Sequence, residues 1–455
     1  MFKKVLIANR GEIAVRILRT CKEMGIETVA VYSKADSEAL HVQLADQAIC
    51  IGEAKASDSY LNIPNILSAA SMSGCDAIHP GFGFLSENPQ FARQVQQCNM
   101  TFIGPSADVI ELMGDKAQAR DTMLKAGIQT IPGSDGCIDT LEEGIAFANK
   151  IGYPVLIKAA SGGGGRGMRI AFSEDEFTQA YLGAKSEAKT AFGDDSVYIE
   201  KYLNKPKHIE VQLLADHFGN VLHLFERDCS MQRRNQKVLE EAPCFTLSQK
   251  LRDQLYETAV RACKAVNYDS VGTIEFLVDD QENYYFMEMN TRIQVEHTIT
   301  EEICNIDLIK MQIKVAANQP LKLKQEDIQQ RGFAIECRIN AENIKQNFAP
   351  TPGKITFLNL PGGRGVRIDS AVYNGYTIPP YYDSMIAKLI TSGDTRMECI
   401  KKMRIALEEF IIEGIPSNIE FQYLLLHQKS FIEGKYTTKT IDEFVKELEE
   451  NGTVI

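Results

Sequence analysis

The chain has no Cys-x-x-C pair, although it carries eleven cysteines in 455 residues. Such an odd, scattered set excludes a regular disulfide framework or a zinc ribbon and favours buried thiols in a reducing cytoplasm. No apolar run is long enough to span a bilayer. The stretch after Lys3 and Lys4 ends at Ala8 and meets Asn9-Arg10-Gly11-Glu12, too short for the core of a signal peptide. Excess positive charge is lacking too. A net charge of -12 argues against general nucleic-acid or membrane-surface binding and leaves Arg233-Arg234-Asn235-Gln236-Lys237 as a local basic patch. No G-x-x-x-x-G-K-[ST] sequence occurs, which excludes a P-loop enzyme, and no segment is repetitive.

What is present is a globular composition, 44% hydrophobic and 24% charged, on a chain long enough for about two to four domains. The N-terminal part alternates strand and helix. Lys4–Ala8 reads as a strand, Gly11 opens a helix with Ile13, Ala14, Ile17, Leu18 and Cys21 on one stripe, and Thr28–Tyr32 reads as the next strand. Ala77–His79 and Met100–Gly104 add two more, so the alternation predicts a parallel, doubly wound sheet. A dinucleotide site with Asp36 on a ribose is discounted, because only one glycine stands where that fingerprint needs three. After Lys116 a helix runs to about Lys125, and a compact mixed unit follows Pro132-Gly133-Ser134. A larger strand-rich segment comes next. The C-terminal part reads as antiparallel sheet and helices, the last from Thr440 to Glu450.

Three segments carry chemistry. Val155–Lys158, then Gly162-Gly163-Gly164-Gly165-Arg166-Gly167, then Met168–Phe172 reads as strand, glycine loop, strand, a hairpin whose bare amides can close over phosphates as a flap; the plain alternative is a floppy surface loop. Lys158 and Lys116 supply fixed positive charge. Gly272–Val278 and Tyr284–Asn290 flank a polar turn and form a second hairpin bringing Glu275 near Glu288. Paired carboxylates with nucleotide phosphates suit Mg²⁺; the plain alternative is two surface glutamates. Finally, Glu288, Asn290, Arg292, Gln294 and Glu296 recur at every second position of EMNTRIQVEH. In an extended backbone all five share a face, able to hold a metal, clamp a planar anion and remove a proton; the plain alternative is the solvated face of a strand.

The assembled blocks IANRGEIAVRI, HPGFGFLSEN, GDK, KAASGGGGRGM, QRRNQKVLEEAP, EMNTRIQVEH and PPYYDSMIAKLI resemble the biotin carboxylase family of ATP-grasp enzymes, from Val5 to about Phe444. The resemblance implies an α/β and α+β protein. Residues 1–113 would form a Rossmann-like pre-ATP-grasp domain with a parallel sheet. Residues 114–330 would form the ATP-grasp domain, with a mobile lid at about 132–202, and residues 331–445 an antiparallel C-terminal domain.

It further implies that ATP phosphorylates bicarbonate to carboxyphosphate, whose CO₂ passes to N1′ of biotin on a carrier protein. Lys116, Lys158, His208, Gln232 and the glycine loop (Gly162, Gly163, Gly164, Gly165, Gly167) would meet ATP. Glu200, Leu203 and Leu277 would line the adenine pocket. Glu275, Glu288 and Asn290 would hold Mg²⁺ or Mn²⁺. Lys237, Arg292, Gln294 and Val295 would bind bicarbonate, Glu296 would be its base, and Arg338 would stabilise the biotin enolate.

Three residues depart from the family pattern: Phe82 for a Tyr near biotin, Asn235 for a His near the nucleotide, and Thr298 for a Pro, expected to have a local backbone effect at most. No Ala-Met-Lys-Met biotinylation sequence occurs. The expectation is a free-standing subunit, commonly homodimeric and cytoplasmic, that meets a separate biotinylated carrier and a carboxyltransferase. The acceptor would be acetyl-CoA by default, with propionyl-CoA, another acyl-CoA or pyruvate as alternatives. Competing readings are another ATP-grasp ligase acting on an amine or carboxylate, and a non-catalytic ATP-sensing subunit.

Overall fold

The computed structural model describes residues 1–160 and 167–450, so Gly162, Gly163, Gly164 and Gly165 lie outside the described residues. The first sheet is parallel, as the alternation requires. Its strands β1 (Lys4–Ile7), β2 (Glu27–Ser33), β3 (Gln47–Gly52), β4 (Ala77–His79) and β5 (Thr101–Phe102) run in the order β3-β2-β1-β4-β5. Val5, Leu6 and Ile7 are fully buried because helices cover both faces of such a sheet. The helix Gly11–Glu23 presents Ile13, Ala14, Ile17, Leu18 and Cys21 to the core.

A three-stranded antiparallel sheet follows, β6 (Val155–Ala159), β7 (Met168–Ala171) and β8 (Val197–Lys201), in the order β7-β6-β8. It has its own small core, built from Val155, Ile157, Val197 and Ile199 against Phe177 and Tyr181 of the helix Glu174–Phe192. Lys158 pairs with Met168 at the loop end of the β6–β7 hairpin. Gly167 enters β7 at φ +69°, and a Cβ there would stand 2.8 Å from that of Ala159, so this glycine is demanded by the turn itself.

The main sheet has eight strands, all antiparallel: β9 (Lys207–Ala215), β10 (Val221–Arg233), β11 (Gln236–Ala242), β12 (Ser270–Val278), β13 (Tyr284–Asn290), β14 (Phe333–Asn340) and the strands Val366–Ser370 and Met385–Gly393. β11 pairs with β14, so one sheet runs on across residue 330. The β10–β11 turn is Arg234-Asn235, both at positive φ (50° and 63°), a conformation asparagine tolerates well.

EMNTRIQVEH departs from the expected extended segment. β13 ends at Asn290, residues 291–296 form a non-strand turn, and a helix begins at His297. The side chains of Arg292, Gln294 and Glu296 are thus gathered by a turn held from behind, not by strand alternation. Lys388 Nζ donates to the Val295 carbonyl (2.9 Å), and His297 Nδ1 lies 2.7 Å from that of Gln294.

Candidate active site

Register builds the floor of the site. Glu288 stands opposite Glu275, Glu275 opposite Glu210, and Glu210 opposite Arg227, a charged row across β13, β12, β9 and β10. Direct cross-strand partners share a face. Arg227, fully buried, donates to Glu210 (2.6 Å), Gln212 (2.6 Å), Thr300 (2.8 Å) and Gln294 Oε1 (2.6 Å). The Gln294 amide in turn donates to Glu275 (2.7 Å). The buried polar groups are therefore matched by partners, as a low-dielectric interior requires.

Above this floor Lys237 Nζ donates to Glu296 Oε1 (2.5 Å), Glu210 Oε2 (2.7 Å) and Glu275 Oε1 (3.1 Å). Burial works against its ammonium, but Glu210, Glu275 and Glu296 together hold it well above the ordinary lysine range. The same contacts act in reverse on Glu296. Burial favours its neutral form, yet Lys237 and Arg338 keep its carboxyl below the ordinary value, so Glu296 stands ionised. Arg338 Nη2 donates to Glu296 Oε2 (2.9 Å), while its Nε donates to Glu240 Oε1 (2.6 Å). Arg292 donates to Glu87 (2.8 Å) and to Asn290 Oδ1 (2.9 Å).

Towards the small sheet, Lys158 pairs with Glu200. Burial opposes the Lys158 charge and Glu200 more than restores it. His208 bridges Gln232 (2.7 Å) and Glu275 (2.9 Å). Burial disfavours the imidazolium, but Glu275 raises its pKa overall.

The divalent-cation reading can be weighed on two carboxylates. Glu275 is saturated by Lys237, His208, Asn290 and Gln294. Its partner Glu288 is half-buried, and no described residue hydrogen-bonds it. Burial, then the nearby Glu275 charge, push the Glu288 carboxyl up. An under-partnered acid facing a second one, beside the Asn290 amide, fits a hard cation taking oxygen ligands. A tighter trio, His208, Glu210 and Glu275, also lies within ligand distance, but Lys237 and Arg227 already neutralise it.

One cavity of about 1250 Å³ gathers these groups. Its lining includes Lys158, Glu200, Leu203, His208, Gln232, Lys237, Glu275, Leu277, Glu288, Asn290, Arg292, Gln294, Val295, Glu296 and Arg338, with Phe82 and Asn235 at its wall. Lys116 is placed differently. It opens the helix Lys116–Lys125, capped by Asp115, and is exposed outside that lining, near enough to act on Glu288. The sequence reading missed Glu210, Arg227, Glu240 and Glu87. Glu210, between Ile209 and Val211 in a strand, carries the same signal that singled out Glu275, whereas Arg227 stands between Glu226 and Asp228 and Glu240 beside Glu241, which hid them.

Thr298 corrects an expectation. Its hydroxyl donates to the buried Glu336 carboxylate, so the departure from proline adds a side-chain contact as well as a backbone change.

Comparison with known proteins agrees with this geometry. Residues 1–110 match the model of the biotin carboxylase N-terminal domain, residues 115–324 the carbamoyl-phosphate synthase L chain ATP-binding domain, and residues 336–443 the biotin carboxylase C-terminal domain. The chain is 57% identical to biotin carboxylase 1 of Bacillus subtilis over 445 residues, 98% of this chain and 99% of that one. It is 56% identical to biotin carboxylase of Haemophilus influenzae, over 95% of this chain and 97% of that one. Among solved structures, a biotin carboxylase–β,γ-ATP complex from Campylobacter jejuni superposes with a TM-score of 0.92 at 50% identity, covering 97% and 99% of the two chains. The biotin carboxylase domain dimer of 2-oxoglutarate carboxylase from Hydrogenobacter thermophilus, bound to MgADP, ADP and bicarbonate, gives 0.91 at 50% identity, covering 97% and 98%. The chain belongs to the biotin carboxylase family of ATP-grasp ligases, enzymes that carboxylate biotin at the expense of ATP.

Proposed function

We propose that this chain catalyses the first half-reaction of an acetyl-CoA carboxylase, in which bicarbonate is activated by ATP and its CO₂ is placed on carrier-bound biotin. The observation that carries it is the meeting of Lys237, Glu296 and Arg338 with Lys158 on a single cavity. Glu296 takes the bicarbonate proton, and the carbonate oxygen attacks the γ-phosphorus of ATP as the bond to ADP breaks. Phosphoryl transfer of this kind needs alignment and neutralised charge more than covalent help from the protein. Lys158, His208 and Gln232 face the nucleotide, with Glu200, Leu203 and Leu277 about the base, and the glycine residues Gly162 to Gly165, which lie outside the described residues, would meet the phosphates. Lys116 approaches from the rim. Glu275, Glu288 and Asn290 would hold Mg²⁺ or Mn²⁺, which when bound supplies charge neutralisation on the phosphates.

Carboxyphosphate then falls apart to CO₂ and phosphate. The phosphate takes the N1′ proton of biotin, Arg338 steadies the enolate oxygen, and N1′ attacks CO₂. Lys237, Arg292, Gln294 and Val295 keep the carboxyl fragment in place between the two steps. The roles divide cleanly, with no group asked to be acid and base at once.

The unit at about 132–202, part of the 114–330 domain, acts as the lid over a platform formed by the rest of that domain with residues 1–113 and 331–445. A biotinylated carrier delivers the substrate, a carboxyltransferase consumes the product, and the chain works as a cytoplasmic homodimer. The half-reaction is common to solved relatives serving pyruvate and 2-oxoglutarate carboxylases at about equal identity (51% and 50%), so acetyl-CoA as acceptor is set by the partner and not by this site. ATP hydrolysis by the purified chain should rise on adding free biotin and bicarbonate together. An ATP-grasp ligase for amines or carboxylates would show no bicarbonate dependence, and that result would end the proposal. Identifying the biotin-bearing protein that co-purifies with the chain tests the acceptor.

A further inference from the structure

Behind Arg338 lies a pair of acids that the reaction above does not use. Glu240 on β11 and Glu336 on β14 are direct cross-strand partners, both fully buried. Such partners share a face with Cβ atoms about 5 Å apart. Each has one satisfied oxygen: Glu240 Oε1 accepts from Arg338 Nε (2.6 Å) and Nη2 (2.5 Å), and Glu336 Oε2 accepts from the Thr298 hydroxyl. The second oxygen of each, Glu240 Oε2 and Glu336 Oε1, is buried without a partner among the described residues.

The surrounding charges are already engaged. Arg338 is shared between Glu240 and Glu296, and Lys237 serves Glu210, Glu275 and Glu296. Lys388, fully buried on the strand Met385–Gly393, faces Glu12 (3.2 Å), Asp369 (3.9 Å) and the Val295 carbonyl (2.9 Å). Lys388 also acts on Glu336 through its charge, yet no described cation forms an ion pair with Glu336, and two such acids side by side in a dry interior do not both ionise.

We propose that Glu240 and Glu336 hold one proton between them, carried on Glu336 Oε1 and donated to Glu240 Oε2, and that this acid pair positions Arg338 for the biotin step. The deepened role rests on the function proposed above. Placing the proton on Glu336 leaves Glu240 anionic, as a guanidinium partner requires. The titration agrees in direction: burial lifts both carboxyls, Glu240 to about 7 and Glu336 well above the ordinary carboxylate range. Thr298, where the family carries proline, gives this chain a donor that favours the ionised form of Glu336.

Infrared spectroscopy and kinetics on the full chain test it. The wild-type minus Glu336→Gln difference spectrum at neutral pH should show a deuterium-sensitive protonated-carboxyl band that fades as pH rises. Thr298→Val should move that fading to higher pH. Glu336→Leu should lower biotin-dependent turnover about tenfold relative to biotin-independent ATP hydrolysis in the same preparation, since it strips a partner from a charged pair. Glu336→Gln, whose amide N–H replaces the carboxyl donor, should recover that ratio to within about twofold. Absence of the band, as for two carboxylates bridged by water, overturns the pairing, and so does a Glu336→Gln enzyme no better than Glu336→Leu. A wild-type chain unresponsive to biotin would instead sink the functional reading, with the band still reporting on the pair.

Discussion

The two ends of the cavity are built on opposite plans. At the end proposed to take bicarbonate, Lys237, Glu210, Glu275, Glu296 and Arg227 form a buried lattice in which nearly every polar atom already has a partner. At the end proposed to take the nucleotide, a three-stranded sheet with its own small core offers Lys158 paired with Glu200, at 25% and 13% side-chain exposure. The first fixes proton and charge positions before any ligand arrives, as electrostatic preorganisation demands. The second keeps its charges near water, as befits a part that must admit and release a nucleotide.

Breaking the preorganised end should cost most. Glu296→Gln removes the base while keeping its shape, and bicarbonate-dependent ATP hydrolysis should fall by about 10² to 10⁴. Loss below threefold would contradict the assignment. At the other end, Lys158→Ala should raise the KM for ATP by about 10- to 100-fold, the size of one charged hydrogen bond. The KM for bicarbonate should stay within about twofold if the two ends are energetically separate. A large rise in both would show them coupled.

The comparison extends to pH. His41 and His79 are fully buried, and burial lowers their pKa values to about 4 and about 3. Unfolding lets each take up a proton below the free value, so stability is complete above pH ~6.5 and declines as pH falls, by up to about 1.4 kcal/mol per unit for each residue. Thermal unfolding measured from pH 7 to pH 5 should show that slope, and His41→Gln should flatten it. The smallest effect belongs to the hairpin. Gly167→Ala forces a side chain into positive φ and against Ala159, and should destabilise the flap by about 1 kcal/mol. Weaker nucleotide binding with an unchanged melting temperature of the free chain would place that loss in the lid alone.

Much of the architecture was legible in one dimension. The final helix runs from Thr440 to Glu450 as read, and the parallel sheet follows from its alternating elements. β3 escaped notice although Ala48–Ile51 is apolar, because the run is short and its side chains are mostly exposed or half-buried. The site was legible where chemistry is local, as in the pairing of Glu275 with Glu288 across one hairpin. EMNTRIQVEH brought forward residues that do line one cavity, but through the wrong geometry, since alternation describes a strand and the chain turns at Thr291.

Residue identity alone set the chemical inventory: which acids, amides, lysines and guanidinium groups exist, and which local hairpins carry them. Tertiary structure alone chose their partners. Glu210 meets Arg227, Glu240 meets Glu336 and Thr298 meets Glu336 only because distant strands and a helix are brought into register. Charge interactions depend on distance and burial, and neither quantity exists until the chain has folded.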